Sequence, residues 1–317
     1  MSVPHPPAGC AAPAGPPSLH AVGAVPRRVV TVRAHPWTSD PPMAAPFRHV
    51  LVLEYHAIVP AQCAHNAYEV PVSAFARQMA QLHASGVPVV TARTLAAWMS
   101  AGAALPPLVA VVTFDDGYEG VYRYALPVLS RYHMPFTAFV IGSAVRPSGP
   151  VYPSGLARLT VAELRAMQAT GLADIESHTW NLHGNVPCPY NCASAPAIAS
   201  DLAHENRFIR RTTGIAPIAF AYPGGMVSAA GLDEAKRFYQ IAFIGEAVPP
   251  PAVWSSEARW LLPRFVVVAG TDVTKLVRQQ RGGLAWYTTQ ADFLGVAPVA
   301  AVAGCRGAAC RLLPLRP

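Results

Sequence analysis

The feature that most limits the possible folds is a regular alternation of short apolar runs with segments of helical periodicity between residues 48 and 270. The apolar runs predict strands, and the segments between them predict helices. Repeated strand–helix units predict an α/β fold with a parallel sheet, and their number in a chain of 317 residues favours closure into a (β/α) barrel. The predicted strands are 49–56, 87–90, 107–114, 135–142, 172–178, 217–223, 241–245 and 265–270, and the predicted helices are 72–86, 91–102, 118–133, 160–171, 198–214 and 229–240.

Local signals mark where several of these elements begin and end. Thr160 and Glu163 form a capping-box pattern that predicts a helix start. Gly86 and Gly214 each follow a periodic segment and predict a helix end. Pro127 lies inside a helical pattern and predicts a kink there.

The two ends of the chain lack this periodicity. Residues 1–47 hold 11 of the 33 prolines and are predicted to be a disordered leader. The stretch after Arg28 is too short for the apolar region of a signal peptide, so no export signal is readable. Residues 281–317 have neither a clear period nor helix caps and are predicted to be a poorly ordered tail. The predicted folded domain is therefore 48–280.

The composition narrows the classes of protein that the chain can belong to. Hydrophobic residues make up 52% and charged residues 13%, which is enough apolar material for a large core. No apolar stretch reaches the ~18 residues needed to span a bilayer. The net charge of +7 comes from scattered arginines without a basic helix or an RNA-binding motif, so no nucleic-acid partner is expected.

Six cysteines are too few for a disulfide framework in a chain of this length. Cys188 and Cys192 form a close pair, and no second pair lies at the spacing of a zinc ribbon. The sequence leaves two interpretations of this pair open, a small loop-closing disulfide and two free thiols.

Polar side chains that can do chemistry follow four of the predicted strands. In α/β folds the carboxyl ends of the strands carry the functional site. Two imidazoles and a carboxylate at one mouth are typical of a zinc-like site with positions open to water. An Asp-Asp-Gly sequence can also be a simple polar turn, so both interpretations remain open at this point. The residues are His56, Asp115 with Asp116, His178 with His183, and Tyr222.

The spacing of His178 and His183 restricts the structure between them. On an ideal helix, residues five apart point ~140° away from each other, and on a strand they face opposite sides. A metal shared by both histidines therefore requires an irregular loop.

Three motifs together resemble the polysaccharide deacetylases of carbohydrate esterase family 4 over residues 48–270. They are "TFDDG" (113–117), the histidine pair about 60 residues later, and "AYPGG" (221–225). The resemblance implies a distorted (β/α) barrel and a hydrolase that removes N-acetyl groups as acetate. It also implies that Asp115 is the catalytic base and that Asp116, His178 and His183 bind one divalent ion. Zn²⁺ is expected before Ni²⁺, Co²⁺ or Fe²⁺.

Finer features resemble one branch of that family. The spacing in "HTWNLH", the segment "YEVPVSAFARQMAQL" and "LPRF" with Arg264 resemble bacterial deacetylases of the biofilm polysaccharide poly-β-1,6-N-acetylglucosamine. The implied partner is an N-acetylated polysaccharide, and the implied location is outside the cytoplasm or at the cell surface. The alternatives are a deacetylase of peptidoglycan or chitin oligomers, and a non-catalytic carbohydrate-binding module with the same fold.

The chain departs from the family pattern at two places. Where many members have Arg-x-Pro-Tyr, this chain has Ala221-Tyr222-Pro223-Gly224, and no histidine follows His204 to act as a late general acid. The group that protonates the leaving amine is therefore open. Tyr222, His56 and Arg264 are expected to contact the substrate or its oxyanion.

Overall fold

The computed structural model describes residues 50–100, 106, 108–146, 156–184, 186, 189–245 and 258–281, together with Pro17. Apart from Pro17 and Arg281, the predicted leader and tail lie outside the described residues, and so does Cys188.

Within the described residues the chain forms ten strands and seven α-helices, which follow the predicted alternation. The strands are β1 (Val50–Tyr55), β2 (Ala57–Val59), β3 (Glu69–Pro71), β4 (Val89–Val90), β5 (Val109–Phe114), β6 (Phe136–Val140), β7 (Ala173–Ser177), β8 (Ala219–Ala221), β9 (Ile241–Phe243) and β10 (Phe265–Val266). The helices are α1 (Val72–Ala84), α2 (Ala92–Ser100), α3 (Leu126–Arg131), α4 (Val161–Ala169), α5 (Ala195–Thr213), α6 (Ala229–Phe238) and α7 (Val273–Arg281). None of these helices has the length and apolarity needed to cross a membrane.

Eight of the strands form one parallel sheet in the order β10-β1-β5-β6-β7-β8-β9, with β4 paired to β5. A segment just before β10 also bonds to the far edge of this sheet. The Leu262 amide donates to the Ala242 carbonyl (3.0 Å), and the Ile244 amide donates to the Leu262 carbonyl (2.9 Å). This segment links the two edges, and the predicted (β/α) barrel is confirmed in a distorted form.

The core explains why the central strands are apolar throughout. All six residues of β5 are buried, as expected of a strand covered on both faces. On α1 the periodic side chains Phe75, Met79 and Leu82 are fully buried against the sheet. Burying a side chain of this size stabilises the fold by about 1.5–3 kcal/mol.

Predicted helix signals are confirmed at the start of α4 and at the end of α5. Thr160 and Glu163 form a reciprocal capping box at the start of α4. Gly214 ends α5 in the left-handed conformation, with φ 78°. The predicted helix over 118–133 is divided into a π-helical segment (Val121–Ala125) and α3, and Pro127 lies in the first turn of α3, where its missing N–H is least harmful.

The structure contains three elements that the sequence pattern did not predict. The strands β2 and β3 have three residues each, which is too short for a recognisable alternation. Helix α7 buries Val273, Leu276 and Val277. Their spacing is typical of an amphipathic helix, so this helix was predictable from the sequence. The last predicted strand, 265–270, is shorter than expected because the Val268 amide donates to the Thr271 hydroxyl (3.0 Å).

Candidate metal and catalytic centre

The carboxyl ends of β5 and β7 bring the predicted site residues together. The Asp115 amide donates to the Tyr55 carbonyl (2.9 Å), and the His178 amide donates to the Val140 carbonyl (2.9 Å), so both residues prolong the sheet ladder. The side chains of Asp115, Asp116 and His178 are all buried. The expected convergence at strand ends is confirmed for these residues.

A left-handed turn separates the two adjacent aspartates. Asp116 has φ 71° and Gly117 has φ 71°, a region that aspartate tolerates better than most residues. The Asp116 carbonyl accepts a hydrogen bond from Arg158 Nη1 (2.6 Å), which holds the turned peptide. The two carboxylates therefore face different partners, although they are neighbours in sequence.

Asp116 faces the two histidines. Its Oδ1 lies 3.3 Å from His183 Nε2 and 3.5 Å from His178 Nε2, and one ligand atom from each residue lies within 4.8 Å of the others. Ligands 2.0–2.1 Å from a tetrahedral zinc ion are about 3.3 Å apart. Asp116 Oδ1 is buried and has no hydrogen-bond partner among the described residues. The donor set fits a divalent metal, which would satisfy this oxygen.

His178 is oriented for ligation by a hydrogen bond on its far side. His178 Nδ1 lies 2.7 Å from the Ala221 carbonyl oxygen, and only a protonated Nδ1 can donate to it. In the neutral imidazole with Nδ1 protonated, the lone pair lies on Nε2, which faces Asp116, the arrangement found in histidine ligands of metals.

The electrostatics keep Asp116 ionised. Burial acts to raise the pKa of the Asp116 carboxyl, but the neighbouring His178, His183 and Arg158 hold that pKa well below its usual value. Burial lowers the pKa of His183 to about 4, so this imidazole is neutral at pH 7. A neutral imidazole and a carboxylate are the protonation states that bind metal.

The loop between the two histidines is irregular, as their spacing required. Thr179 has φ 76°, an unusual value for a β-branched residue, and it turns the chain after β7. The ring centroids of His178 and His183 consequently lie 4.9 Å apart. The predicted need for a non-helical, non-strand connection is confirmed.

Asp115 makes its hydrogen bonds with a guanidinium, while His178 Nε2 lies farther away, 3.8 Å from Asp115 Oδ2. Arg264 donates from Nη1 to Asp115 Oδ1 (2.7 Å) and from Nη2 to Oδ2 (2.7 Å), and it is fully buried. Burial acts to raise the pKa of the Asp115 carboxyl, but the charge and hydrogen bonds of Arg264, together with the charges of His178 and His56, lower that pKa. Arg264, named from the resemblance alone, is therefore part of the site.

His56 lies on an open cleft of about 260 Å³ that Asp116, Tyr68 and Tyr118 also line. Its ring lies 4.8 Å from the Tyr68 ring, centroid to centroid. One ligand atom each from Glu54, His56 and Asp115 lies within 4.8 Å of the others. The structure thus brings His56 to the site, beside the carboxylate that Arg264 holds.

Tyr222 lies apart from these residues. Its ring packs in a buried cluster against Phe220 (centroids 5.1 Å) and Tyr190 (5.8 Å). Its amide donates to the Phe243 carbonyl (3.0 Å). That N–H is engaged because the residue continues the β8–β9 ladder, and the expected contact of Tyr222 with the substrate or its oxyanion stays a prediction.

Two charged residues of the site were missed from the sequence. Glu54 Oε2 lies 3.2 Å from Arg264 Nε. A glutamate inside the apolar run "LVLEYH" was a usable signal, since a buried strand rarely carries a charge without a partner. Arg158, which holds the Asp116 turn and lies 3.8 Å from the Tyr118 ring centroid, gave no sequence signal.

Glu205 on α5 is a buried carboxyl outside the site, and no basic side chain of the described residues forms an ion pair with it. It packs under Gly142, where an added Cβ would lie 2.0 Å from Glu205 Oε2. Burial first, and the Asp201 carboxylate second, raise the pKa of Glu205 well above its usual value.

Glu205→Gln is expected to stabilise the protein at pH 8 and to change little at pH 4. Because the folded pKa is raised, stability is fully present below the unfolded pKa of about 4.3 and falls by about 1.4 kcal/mol per pH unit above it, until the folded pKa is reached. The amide does not titrate and lacks this slope. Urea unfolding at both pH values measures the difference. Asp233→Asn, at an exposed carboxylate of α6, is the control, and an equal gain at both pH values would contradict the interpretation.

Cys63 and Cys192 are both disulfide-bonded. For the Cys188–Cys192 pair the sequence left a disulfide and free thiols open, and the disulfide state is found for Cys192. Cys63 is buried beside Ala57 and Val59, next to the cleft.

Comparison with known proteins gives consistent matches. Residues 103–239 match the family described as polysaccharide deacetylase. The poly-β-1,6-N-acetyl-D-glucosamine N-deacetylase of Staphylococcus aureus (strain MRSA252) is 26% identical over 206 residues, which cover 60% of this chain and 70% of that protein. The putative polysaccharide deacetylase YxkH of Bacillus subtilis (strain 168) is 29% identical over 221 residues, with coverage of 69% and 71%.

Solved structures share the fold. IcaB from Ammonifex degensii matches with a TM-score of 0.62 at 24% identity, over 74% of this chain and 97% of that chain. A de-N-acetylase from Aggregatibacter actinomycetemcomitans matches with a TM-score of 0.62 at 22% identity, over 72% and 99%.

Proposed function

We propose that the substrate of this protein is a poly-β-1,6-N-acetylglucosamine-like polysaccharide and that its cofactor is one divalent ion, Zn²⁺ in the first place. The chain carries a polysaccharide deacetylase domain and is therefore a hydrolase of N-acetyl amide bonds. The observation that carries the proposal is the different surroundings of two adjacent carboxylates. Asp116 Oδ1 lies within 3.5 Å of two imidazoles, and Asp115 accepts two hydrogen bonds from the Arg264 guanidinium.

Asp116, His178 and His183 would hold the ion. A divalent ion there would lower the pKa of a water molecule toward ~7 and polarise the acetyl carbonyl. His178 keeps Nε2 available by donating from Nδ1 to Ala221, and Asp116 contributes the negative charge.

Asp115 acts as the general base. It accepts the proton of the water that adds to the acetyl carbon. Arg264 keeps Asp115 ionised, and its two hydrogen bonds fix the direction of the carboxylate. A carboxylate with a fixed direction and a proton-free oxygen lone pair meets the geometric requirement for a base.

His56 is the group placed to protonate the leaving amine. Breaking the carbon–nitrogen bond gives acetate and an amine that must gain a proton. His56 lines the same cleft as Asp116, and its ring lies beside Asp115. It would thus take the role that many members give to a late histidine, which this chain lacks.

The choice of glycan is supported by the similarity to the Staphylococcus aureus enzyme, whose name specifies the β-1,6-linked polymer. We place the protein outside the cytoplasm or at the cell surface. The disulfide-bonded Cys63 and Cys192 support this location, since disulfides persist in oxidising compartments.

Acetate release from N-acetylglucosamine oligomers of defined linkage tests the proposal. With Zn²⁺ added to chelator-treated protein, β-1,6-linked oligomers are expected to release acetate faster than β-1,4-linked chitin oligomers or peptidoglycan fragments. The chelated protein should be inactive. Faster release from either alternative substrate would overturn the assigned glycan, and full activity after chelation would overturn the assigned cofactor.

A further inference from the structure

The loop that carries His183 is held by a carboxylate from another element. Asp201 Oδ1 accepts a hydrogen bond from the Trp180 amide (2.7 Å), and Oδ2 accepts one from the Asn181 amide (2.8 Å). The Leu182 amide bonds to the same carboxylate. We infer that Asp201 is a positioning residue that places His183 for metal binding, an inference that rests on the proposed metal centre.

The two histidines differ in how they are fixed. His178 is held directly, by its amide on Val140 (2.9 Å) and by Nδ1 on Ala221 (2.7 Å). His183 lies five residues on, and its side chain is 21% exposed. The residues immediately before His183 are those that Asp201 holds. The position of His183 therefore depends on Asp201 more than the position of His178 does.

The loop needs such support because its backbone starts in a costly conformation. A left-handed backbone conformation is unfavourable for a β-branched residue such as Thr179 and persists only where the surrounding structure fixes it. On one side, the Ser143 amide donates to the Trp180 carbonyl (2.9 Å). On the other side, the amides of Trp180 and Asn181 donate to Asp201. The loop is thus held through both its carbonyls and its N–H groups.

The carboxylate itself sits on a rigid support. Asp201 lies in the second turn of α5, a 19-residue helix. Ile198, Leu202 and Glu205 on this helix are buried, and α5 packs against β7, which leads into His178. Helix α5 therefore sets where Asp201 lies relative to the first ligand.

Asp201→Asn tests the inference with little change in size. An amide has one acceptor oxygen, so its NH₂ group must face an N–H that the carboxylate accepted. Zn²⁺ titration of metal-free protein by calorimetry is expected to show affinity 10–100-fold below that of the wild type, the usual effect of losing a group that orients a ligand. Thermal unfolding of the metal-free variant shows separately whether the fold survives.

Asp272→Asn is the matched control. Asp272 Oδ1 also accepts a backbone N–H, that of Lys275 (3.1 Å), but at the start of α7. It makes no hydrogen bond to the histidine loop, so its variant should bind Zn²⁺ as the wild type does. If Asp201→Asn unfolds, Asp201→Glu keeps the charge and displaces the carboxylate by one methylene, and it too should bind Zn²⁺ at least tenfold more weakly.

A double-mutant cycle with His183→Ala separates positioning from simple loss of charge. If Asp201 acts through His183, Asp201→Asn should weaken Zn²⁺ binding in the wild type and have almost no further effect in His183→Ala. An equal loss in both backgrounds would overturn the inference, because it would indicate a general electrostatic effect. Zn²⁺ affinity within twofold of the wild type for Asp201→Asn or Asp201→Glu would overturn it as well.

These outcomes are distinct from failure of the proposed function. Zn²⁺ affinity is measured without any glycan, so the positioning role can hold even if no acetate is released from β-1,6-linked oligomers. Conversely, the wild type could release acetate while Asp201→Asn binds Zn²⁺ as tightly as the wild type does. That result would support the proposed function and overturn the positioning role of Asp201.

Discussion

Asp115→Asn should lower the rate of acetate release by roughly 10²–10⁴-fold while Zn²⁺ stays bound. The amide keeps the size and polarity of the side chain but cannot accept the proton of the attacking water, and this factor is the usual contribution of a positioned base. Arg264 retains a second partner in Glu54 (3.2 Å), so its charge is not left unpaired. Steady-state rates and Zn²⁺ affinity, measured on the same preparation, check both parts.

Asp116→Asn is the matched control for this result. Asparagine, like aspartate, tolerates the left-handed backbone at this position, so the turn should persist. This variant should lose Zn²⁺ affinity first, and excess metal should restore part of its activity. If Asp115→Asn loses the metal and Asp116→Asn keeps it, the two roles are reversed. If neither variant changes the rate, the paired aspartates are only a polar turn.

Arg264→Leu should destabilise the protein by about 3–5 kcal/mol at pH 7, the cost of removing one partner of a buried ion pair. The change leaves Asp115 and Glu54 buried without the guanidinium that neutralises both. Urea unfolding at pH 7 and at pH 5 measures the loss.

The pH dependence of this loss identifies its cause. In the wild type the pKa of Asp115 is lowered, so its contribution is present above the unfolded pKa of about 3.9 and is lost as pH falls through the lower folded pKa. Without Arg264, burial is the largest remaining influence and raises that pKa, so the variant should recover stability as pH falls from 7 to 5. Glu54→Gln in the same background should restore part of the stability at pH 7. A loss that is equal at both pH values would indicate missing packing instead of unpaired charge.

The fold was predictable where the information is local. The buried strand β5, the amphipathic helix α1 and the capping box of Thr160 each depend on residues a few positions apart. Strands β2 and β3 were not predictable, since three residues carry no periodic signal. The boundaries of β10 also depended on a side chain, Thr271, whose effect on Val268 is not visible in a hydropathy pattern.

The site was predictable to the same extent. Asp115, Asp116 and His178 directly follow buried strands, and strand ends in parallel sheets converge, so their proximity could be inferred. The partners of these residues could not be inferred from local pattern. Arg264 pairs with Asp115 across 149 positions, and Asp201 reaches the Trp180 amide across 21. Such contacts depend on how whole elements pack, and only the family resemblance drew attention to Arg264.

The long separation between Asp115 and Arg264 also has a consequence during protein synthesis. The ribosome makes β5 and its aspartates early, but Arg264 follows much later, just before β10 joins β1 at the edge of the sheet. A nascent chain that has formed everything up to β9 already has Asp116 and both histidines but lacks the Arg264 guanidinium that acts to lower the pKa of Asp115. Under the proposed mechanism, hydrolysis would become possible only once β10, the last strand of the described residues, has docked, so activity would report that the barrel is complete.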